Sequence, residues 1–466
     1  MNAVLKTTIA QAAGRRKQPL WLVGGPVRDD LLEVPCKDWD FVARQARSLA
    51  KDVARRLGAK FIVLDEENRI YRVILPEQVT LDFAELQGPS IEADLGRRDF
   101  TINAMAQAFP DGERIDPFHG QRDLRQKVVR AFSEKSFVED PLRTLRAFRF
   151  AAQFQFAIDA RTVRWIRQHR HGLQKVSAER IREELLRLWK QPCSAPSLRL
   201  MDRAGLLCGI FPEMEACRRT AIRYYGKGGV LRHSFETVEN LEWIFDHLNT
   251  TRLFAGSIAH SIKEYLTGSI GGYPRTAWLK WAAFLHDVGK PATAKVIKGR
   301  LRFFEHEHVG ASLALKISQR LRLSRQEMQL LGLWVRNHMR TGNLAAAPRI
   351  TDKALSRYFR DLGEDGVGMI LISLADHYTY LRSLLWAKGT DPVDKISRKL
   401  LTAYYEDRAK ILPEKLVNGH VLMKKLKLKP GPLIGELLEA LQDAQAEGKI
   451  TTAVEALAFA KKKIRC

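Results

Sequence analysis

Cysteine is scarce in this chain, acidic residues are outnumbered, and long apolar runs are missing. The five cysteines, Cys36, Cys193, Cys208, Cys217 and Cys466, are scattered and form no C-x-x-C pair. A disulfide scaffold and a structural zinc knuckle are therefore excluded. No window approaches the roughly 18 apolar residues of a membrane span, and the opening MNAVLKTTIAQAAGRRKQ has no continuous apolar stretch of signal-peptide type. The expected location is cytoplasmic, with no membrane partner. Asp and Glu number 53 against 77 Lys and Arg, a formal net charge of +24, which points to a polyanionic partner and to nucleic acid ahead of a membrane surface. With 45% hydrophobic residues the chain buries real cores, and 466 residues are too many for one of them.

The character of the chain changes along its length. From Pro19 to about Phe109, runs rich in Val, Ile, Leu and aromatics (Leu20 to Val23, Trp39 to Ala43, Phe61 to Leu64, Tyr71 to Leu75, Val79 to Phe83) alternate with helical stretches, which reads as a mixed α/β domain. From Phe137 onward the pattern is helical and no later segment reads as sheet, with GGYPR and TGN taken as turns. Residues 139 to 190 hold twelve Lys and Arg against six Asp and Glu. Arg143, Arg146 and Arg149, three apart, predict a basic helical surface there. Residues 220 to 390 contain most of the histidines, and 395 to 466 are again basic and helical, interrupted by KPGP at Lys429 to Pro432.

The first group of chemistry-bearing residues begins at LVGGPVRDDLL, where Gly24 and Gly25 form a turn between a strand and a helix that Pro26 suits. Without Cβ atoms the two glycines admit a phosphate, and Arg28 lies about one turn into the helix. In KDWDFVA, Asp38 and Asp40 alternate on a strand and so point to one side. Two such carboxylates repel unless a cation joins them, and Mg²⁺ takes one or two carboxylates together with substrate phosphates. Asp82 on a further strand is a candidate third carboxylate. The alternative is an ordinary solvated strand edge.

These two motifs, followed in order by RRDFTINAMA, DPFHGQRDL, EDPLRTLRAFRFAAQF and SAERIREEL, resemble the head and neck of class II tRNA nucleotidyltransferases and bacterial poly(A) polymerases. The resemblance covers about the first 215 residues. It implies an α/β nucleotidyltransferase head with Asp38 and Asp40 as the catalytic holders of Mg²⁺, and CTP and/or ATP as substrates. It further implies that Gly24, Gly25, Arg28, Arg98, Asp99 and Asn103 engage the nucleotide, and that Glu179, Arg180 and Glu184 brace helices. In Glu139 to Arg143, Asp140 and Arg143 would share one side of a helix. The carboxylate could accept from the exocyclic amine of C or A, and the guanidinium could donate to the base. The family's E-D-x-x-R motif carries that role, and a plain intrahelical ion pair is the alternative. Arg146 extends the row toward the phosphates. Many full CCA-adding members carry a T-R-x-E-x-Y type arm between the aspartates and RRDF, and no such element is evident here. That departure favours partial CCA addition, with poly(A) synthesis on general RNA left open.

The second half holds His233, His286, Asp287, His306, His338 and Asp376 in an H…HD…H…H…D order that resembles an HD-type phosphohydrolase domain. Imidazoles and carboxylates on a helical frame suit divalent transition ions such as Ni, Mn, Co or Fe, with water as nucleophile toward a phosphate ester. His308 competes with His306. The expected architecture is multidomain: an α/β nucleotidyltransferase head (1–135), an all-α neck for base selection and RNA binding (136–215), an HD body (216–390) and a helical, RNA-binding tail (391–466), where Lys424, Lys425, Lys427 and Lys429 could follow an RNA backbone or form a merely solvated basic face. The expected partner is a tRNA or other RNA 3′ end. A metal-dependent phosphohydrolase with a vestigial head is the competing reading.

Overall fold

Seven strands account for the regular part of the N-terminal half: β1 (Leu20–Val23), β2 (Asp38–Ala43), β3 (Lys60–Asp65), β4 (Ile70–Ile74), β5 (Thr80–Glu85), β6 (Ala106–Ala108) and β7 (Arg114–Ile115). The computed structural model describes residues 1–76, 79–250, 254, 256–381 and 391–465. The strands form one sheet in the order β3-β4-β5-β2-β1-β6-β7. Only β2 and β5 run parallel, and that register sets Asp40 directly beside Asp82. The helix Ala46–Leu57 covers β4 and β5 with Leu49, Ala50 and Val53, and ends where Gly58 takes the left-handed conformation that glycine tolerates best. The apolar runs expected from sequence thus become β1 to β5, with ends shifted by a residue or two.

Residues 1–188 and 196–210 form one compact unit; residues 189–195 and 211–466 form a second. In the first, helices Arg143–Phe154, Ala160–His169 and Ala178–Trp189 follow the sheet. The second is helical around a core containing Trp278, Trp281, Phe284 and Trp334, with the rings of Trp278 and Trp281 stacked 5.8 Å apart. Its last helices, Gly419–Leu426, Pro432–Ala446 and Ala453–Arg465, share a core built from Leu422, Leu437, Leu441, Ala456 and Ala460. The KPGP interruption falls between the first two, with Pro432 opening the next helix, where its missing N–H costs nothing. No helix among the described residues is long and apolar enough to cross a membrane.

The expectation of no sheet beyond Phe137 is corrected. Val128–Val129 pairs with Ala157–Ile158, Ser269–Ile270 with Tyr273–Pro274, and Lys295–Ile297 with Arg300–Arg302. Strands of two or three residues are too short to show a period of two. TGN, read as a turn, lies inside the short helix Arg340–Ala345.

A buried carboxylate ties the second unit together. Glu242 accepts hydrogen bonds from the backbone N and Oγ of Ser194, both at 2.6 Å, and from the buried Lys280 ammonium at 3.2 Å. Removing one member strands the other charge in a dry core. Glu242→Ala is expected to cost about 3 kcal/mol of stability, measured as a lowered urea midpoint, while Glu406→Ala on the surface leaves it unchanged.

Candidate active site and metal centre

In the head, three features meet at the start of the helix Gly25–Leu31. Gly24 has φ +70°, and a Cβ on it would lie 2.7 Å from Nη1 of Arg98. A Cβ on Gly25 would lie 3.8 Å from Oδ2 of Asp40. The glycine turn, the Arg98 guanidinium and the Asp40 carboxylate therefore border one small space. Asp38 Oδ1 accepts from Thr80 Oγ1 at 2.6 Å, and Asp82 is held by both Nε and Nη2 of Arg72 at 2.7 Å. Asp40 has no such cation of its own. Burial, then the neighbouring Asp82 and Asp38, push its pKa up to about 6 in spite of Arg98. A carboxylate crowded in this way fits a divalent cation.

The other expected nucleotide contacts are bound largely to one another. Arg28 is buried: it donates to Asn103 Oδ1 and, at 2.8 Å, to Asp29, and its guanidinium lies 4.6 Å from the Phe154 ring centre. Asn103 Nδ2 donates to Asp99 Oδ1 at 2.9 Å. Arg146 grips Asp99 Oδ2 through Nε at 2.8 Å and Nη2 at 2.6 Å, and reaches Glu184 at 3.3 Å. Arg149 holds the other Glu184 oxygen at 2.6 Å. Burial works to raise the Asp99 carboxyl, but Arg146 and Asn103 bring it down to about 2. Arg146 and Arg149 thus face inward, which corrects the basic surface expected at that row. The exposed cations stand one helix later, at Arg161, Arg164 and Arg167.

The helical pairing expected for Asp140 and Arg143 is also corrected. Asp140 ends the helix Lys135–Glu139 in an extended conformation, and the next helix begins at Arg143. Pro141 explains the break, because the residue before a proline is driven out of the α region. Asp140 accepts instead from Arg180 Nη2, at 3.2 and 3.0 Å to its two oxygens. Arg143 donates to Ser136 Oγ at 2.8 Å and to the Arg97 carbonyl at 2.7 Å.

The six expected ligands of the second unit all converge. His286, His306 and His338 each direct Nδ1 to a backbone carbonyl, of Ala283, Phe303 and Val335, at 2.7 to 2.8 Å, and His233 Nδ1 meets Thr379 Oγ1 at 3.1 Å. Their Nε2 atoms are turned inward, the orientation that outer hydrogen bonds impose on metal-binding imidazoles. They form two groups, His233, His286 and Asp376, and Asp287, His306 and His338, each tight enough for one ion. Asp287 reaches both, with Oδ2 3.2 Å from His233 and His286, and Oδ1 3.3 Å from His306 and 3.5 Å from His338. Lys290 pairs with Asp287 Oδ2, but Asp287 Oδ1 and Asp376 Oδ1 are buried without a hydrogen bond, a cost that a cation removes. Burial disfavours a charged His286, yet Asp287 and Asp376 raise its pKa to about 10. His306 is buried in the cluster while His308 is exposed, which decides between them.

Sequence reasoning missed the residues around this centre. Tyr225 stacks on His233 with ring centres 4.5 Å apart, and Lys290 contacts Asp287 and donates to Tyr225 Oη at 2.7 Å. The spacing of Lys290 three residues after Asp287 was the available signal.

The chain matches the poly A polymerase head domain over residues 20–130 and the "Probable RNA and SrmB- binding site of polymerase A" over 155–218. It also matches the HD domain over 230–381 and the tRNA nucleotidyltransferase domain 2 over 379–460. It is 34% identical to the CC-adding tRNA nucleotidyltransferase of Geobacter sulfurreducens, over 99% of this chain and 96% of that one. The chain belongs to the tRNA nucleotidyltransferase family. Another relative of this nucleotidyltransferase, at 32% identity over 96% of this chain and 98% of its own, is the A-adding enzyme of Deinococcus radiodurans. The fold is shared with the Thermotoga maritima CCA-adding enzyme complexed with tRNA, at a TM-score of 0.63 and 23% identity over 99% and 95% of the two chains.

The raised pKa of Asp40 has a measurable sign in this nucleotidyltransferase. Its folded value stands above the ordinary 3.8, so the folded chain holds the proton more tightly than the unfolded one. Ionisation therefore removes stability as pH climbs from about 4 to about 6. Asp40→Asn is expected to raise the Tm of the metal-free protein at pH 8 and to change it little at pH 4. An equal effect at both would contradict the crowding.

Proposed function

We propose that this enzyme extends tRNA 3′ ends without a template, adding C from CTP and stopping before A, with Asp38 and Asp40 holding Mg²⁺. The observation that carries the reading is the convergence of Asp40, with Asp38 and Asp82 beside it, on the Gly24–Gly25 turn and Arg98. Bound there, magnesium supplies activation of the RNA 3′-hydroxyl and neutralises charge on the departing pyrophosphate. Arg98 and the glycine turn receive the triphosphate, and Asp140 with Arg143 reads the base, Asp140 accepting the exocyclic amine in exchange for one of its bonds to Arg180. Stopping at C is favoured by the interval after Asp40, where β3 and β4 are joined by residues 66–69 alone and a switching arm has no counterpart among the described residues. We infer a head (1–135), a neck (136–215), a body (216–390) and a tail (391–466), acting in the cytoplasm.

Transcribed tRNAs ending before CCA, after CC and after CCA, incubated with Mg²⁺ and labelled CTP or ATP, test this reading. Incorporation of C on the first and of no nucleotide on the other two is expected, and Asp40→Asn reduces it to background. Long A tails on arbitrary RNA would replace it with poly(A) synthesis.

A second reading concerns the body. The orphaned oxygens of Asp287 and Asp376 among four oriented imidazoles favour a transition-metal centre that hydrolyses phosphate esters. His306→Ala is expected to lower bound Mn²⁺ or Ni²⁺, measured by elemental analysis, by at least about half. His308→Ala leaves it unchanged, and both variants retain C addition.

A further inference from the structure

The hairpin Lys295–Ile297 with Arg300–Arg302 stands beside the histidine centre and is exposed at every position. Residues 291–304 contain Lys295, Lys298, Arg300 and Arg302 and no acidic residue. None of the four cations makes an ion pair among the described residues. Lys295 is directly opposite Arg302, a like-charge pairing that weakens a hairpin. The two-residue turn puts Lys298 at φ +49° and Gly299 at φ +72°. This geometry favours Asn, Asp or Gly at both positions, so a cation is kept at the tip against local preference. Arg300 and Arg302 lie on one face about 6.7 Å apart, the order of spacing between phosphates along an extended strand.

The base of the hairpin runs into a cavity of about 440 Å³ over the metal ligands, walled by Tyr224, Tyr225, Phe303, Phe304 and Tyr380. Tyr224 and Phe304 are 70% and 67% exposed. Exposed rings beside unpaired cations are the two elements of a single-strand nucleic-acid platform, the rings stacking bases and the cations following the backbone. Of the four cations only Arg302 lines the cavity, so a ligand confined to it leaves Lys295, Lys298 and Arg300 without a partner.

We propose that the hairpin and this aromatic wall form a landing site for single-stranded RNA, which presents a terminal phosphate to the histidine and aspartate centre. The proposal rests on the phosphohydrolase reading of that centre. In the reaction, water adds to phosphorus and the ester P–O bond breaks. Inorganic phosphate is released, and a proton of the water ends on the departing RNA oxygen as a hydroxyl group.

The test compares the full chain with Lys295→Glu/Lys298→Glu/Arg300→Glu, whose side chains are all exposed. With Mn²⁺ bound, kcat/KM is measured on a short single-stranded RNA carrying a 3′-phosphate and on p-nitrophenyl phosphate. In EDTA, photocrosslinking of 4-thiouridine RNA is mapped by mass spectrometry. The variant is expected to lose at least roughly tenfold on RNA, with a shallower salt dependence, and nothing on p-nitrophenyl phosphate. Crosslinks should fall on residues 295–304 or Tyr224. Undiminished RNA turnover, equal losses on both substrates, or crosslinks confined to other segments would overturn the proposal. So would hairpin-dependent binding of phosphatidylglycerol vesicles without RNA crosslinks. If the wild type hydrolyses neither substrate, the phosphohydrolase reading fails, and the metal-free crosslinks alone decide whether the landing site exists.

Discussion

Carboxylates gathered out of water repel one another, and both chemical centres of this protein are built on that repulsion. Two such charges about 4 Å apart oppose each other by about 4 kcal/mol at the effective dielectric of a protein surface. The head relieves part of it locally: Arg72 takes Asp82, and Thr80 takes one oxygen of Asp38. Asp40 is left over, and its proton affinity records the surplus charge. The body does the same with different partners. Asp287 lies between four imidazoles and Lys290, and His286 holds a proton far above its ordinary pKa. In each centre the surrounding fold carries the cost of keeping the negative charge in place.

That cost falls on the scaffold around each site. In the first unit the chain Arg28, Asn103, Asp99, Arg146, Glu184, Arg149 links the glycine-turn helix to two neck helices through buried, charge-assisted hydrogen bonds. Residues that the family resemblance connects with nucleotide thereby also fix the geometry of the glycine turn. In the second unit the corresponding constraint is the set of backbone carbonyls that orient the imidazoles. Neither arrangement tolerates half of its members, because a buried ion without its partner pays the full desolvation penalty.

Much of this was legible in the sequence, and for identifiable reasons. Strands β1 to β5 announce themselves as apolar runs between turn residues, and Asp38 and Asp40 share a face because a strand has a period of two. The order of histidines and aspartates was enough to pick out the six side chains that converge, although only burial separates His306 from His308. Asp140 and Arg143 were misplaced because a spacing of three means one helix face only inside one helix, and Pro141 ends that premise. Tyr225, Tyr380 and Thr379 were invisible. Thr379 and Tyr380 are remote from His233 along the chain, Tyr225 lies on the short helix before it, and none carries a spacing signal: they meet His233 only when the helices pack.

The net charge of +24 shows how far a count of basic residues departs from a binding surface. Asp52 consumes Arg16, Arg55 and Arg56; Asp123 and Asp159 share Arg130; Asp443 gathers Lys353, Arg357 and Arg360 between two helices of the second unit. These arginines neutralise buried acids and contribute little field outside the protein. Among the cations that face solvent without an acidic partner are Arg161, Arg164 and Arg167, the hairpin from Lys295 to Arg302, and Lys424, Lys425, Lys427 and Lys429 in the tail. The first lies within the part of the chain that matches an RNA-binding family, and the second borders the histidine and aspartate cluster. Only cations that still face solvent displace counterions from a phosphate backbone, so the exposed and unpaired residues, not the total count, bound any salt-dependent affinity for RNA.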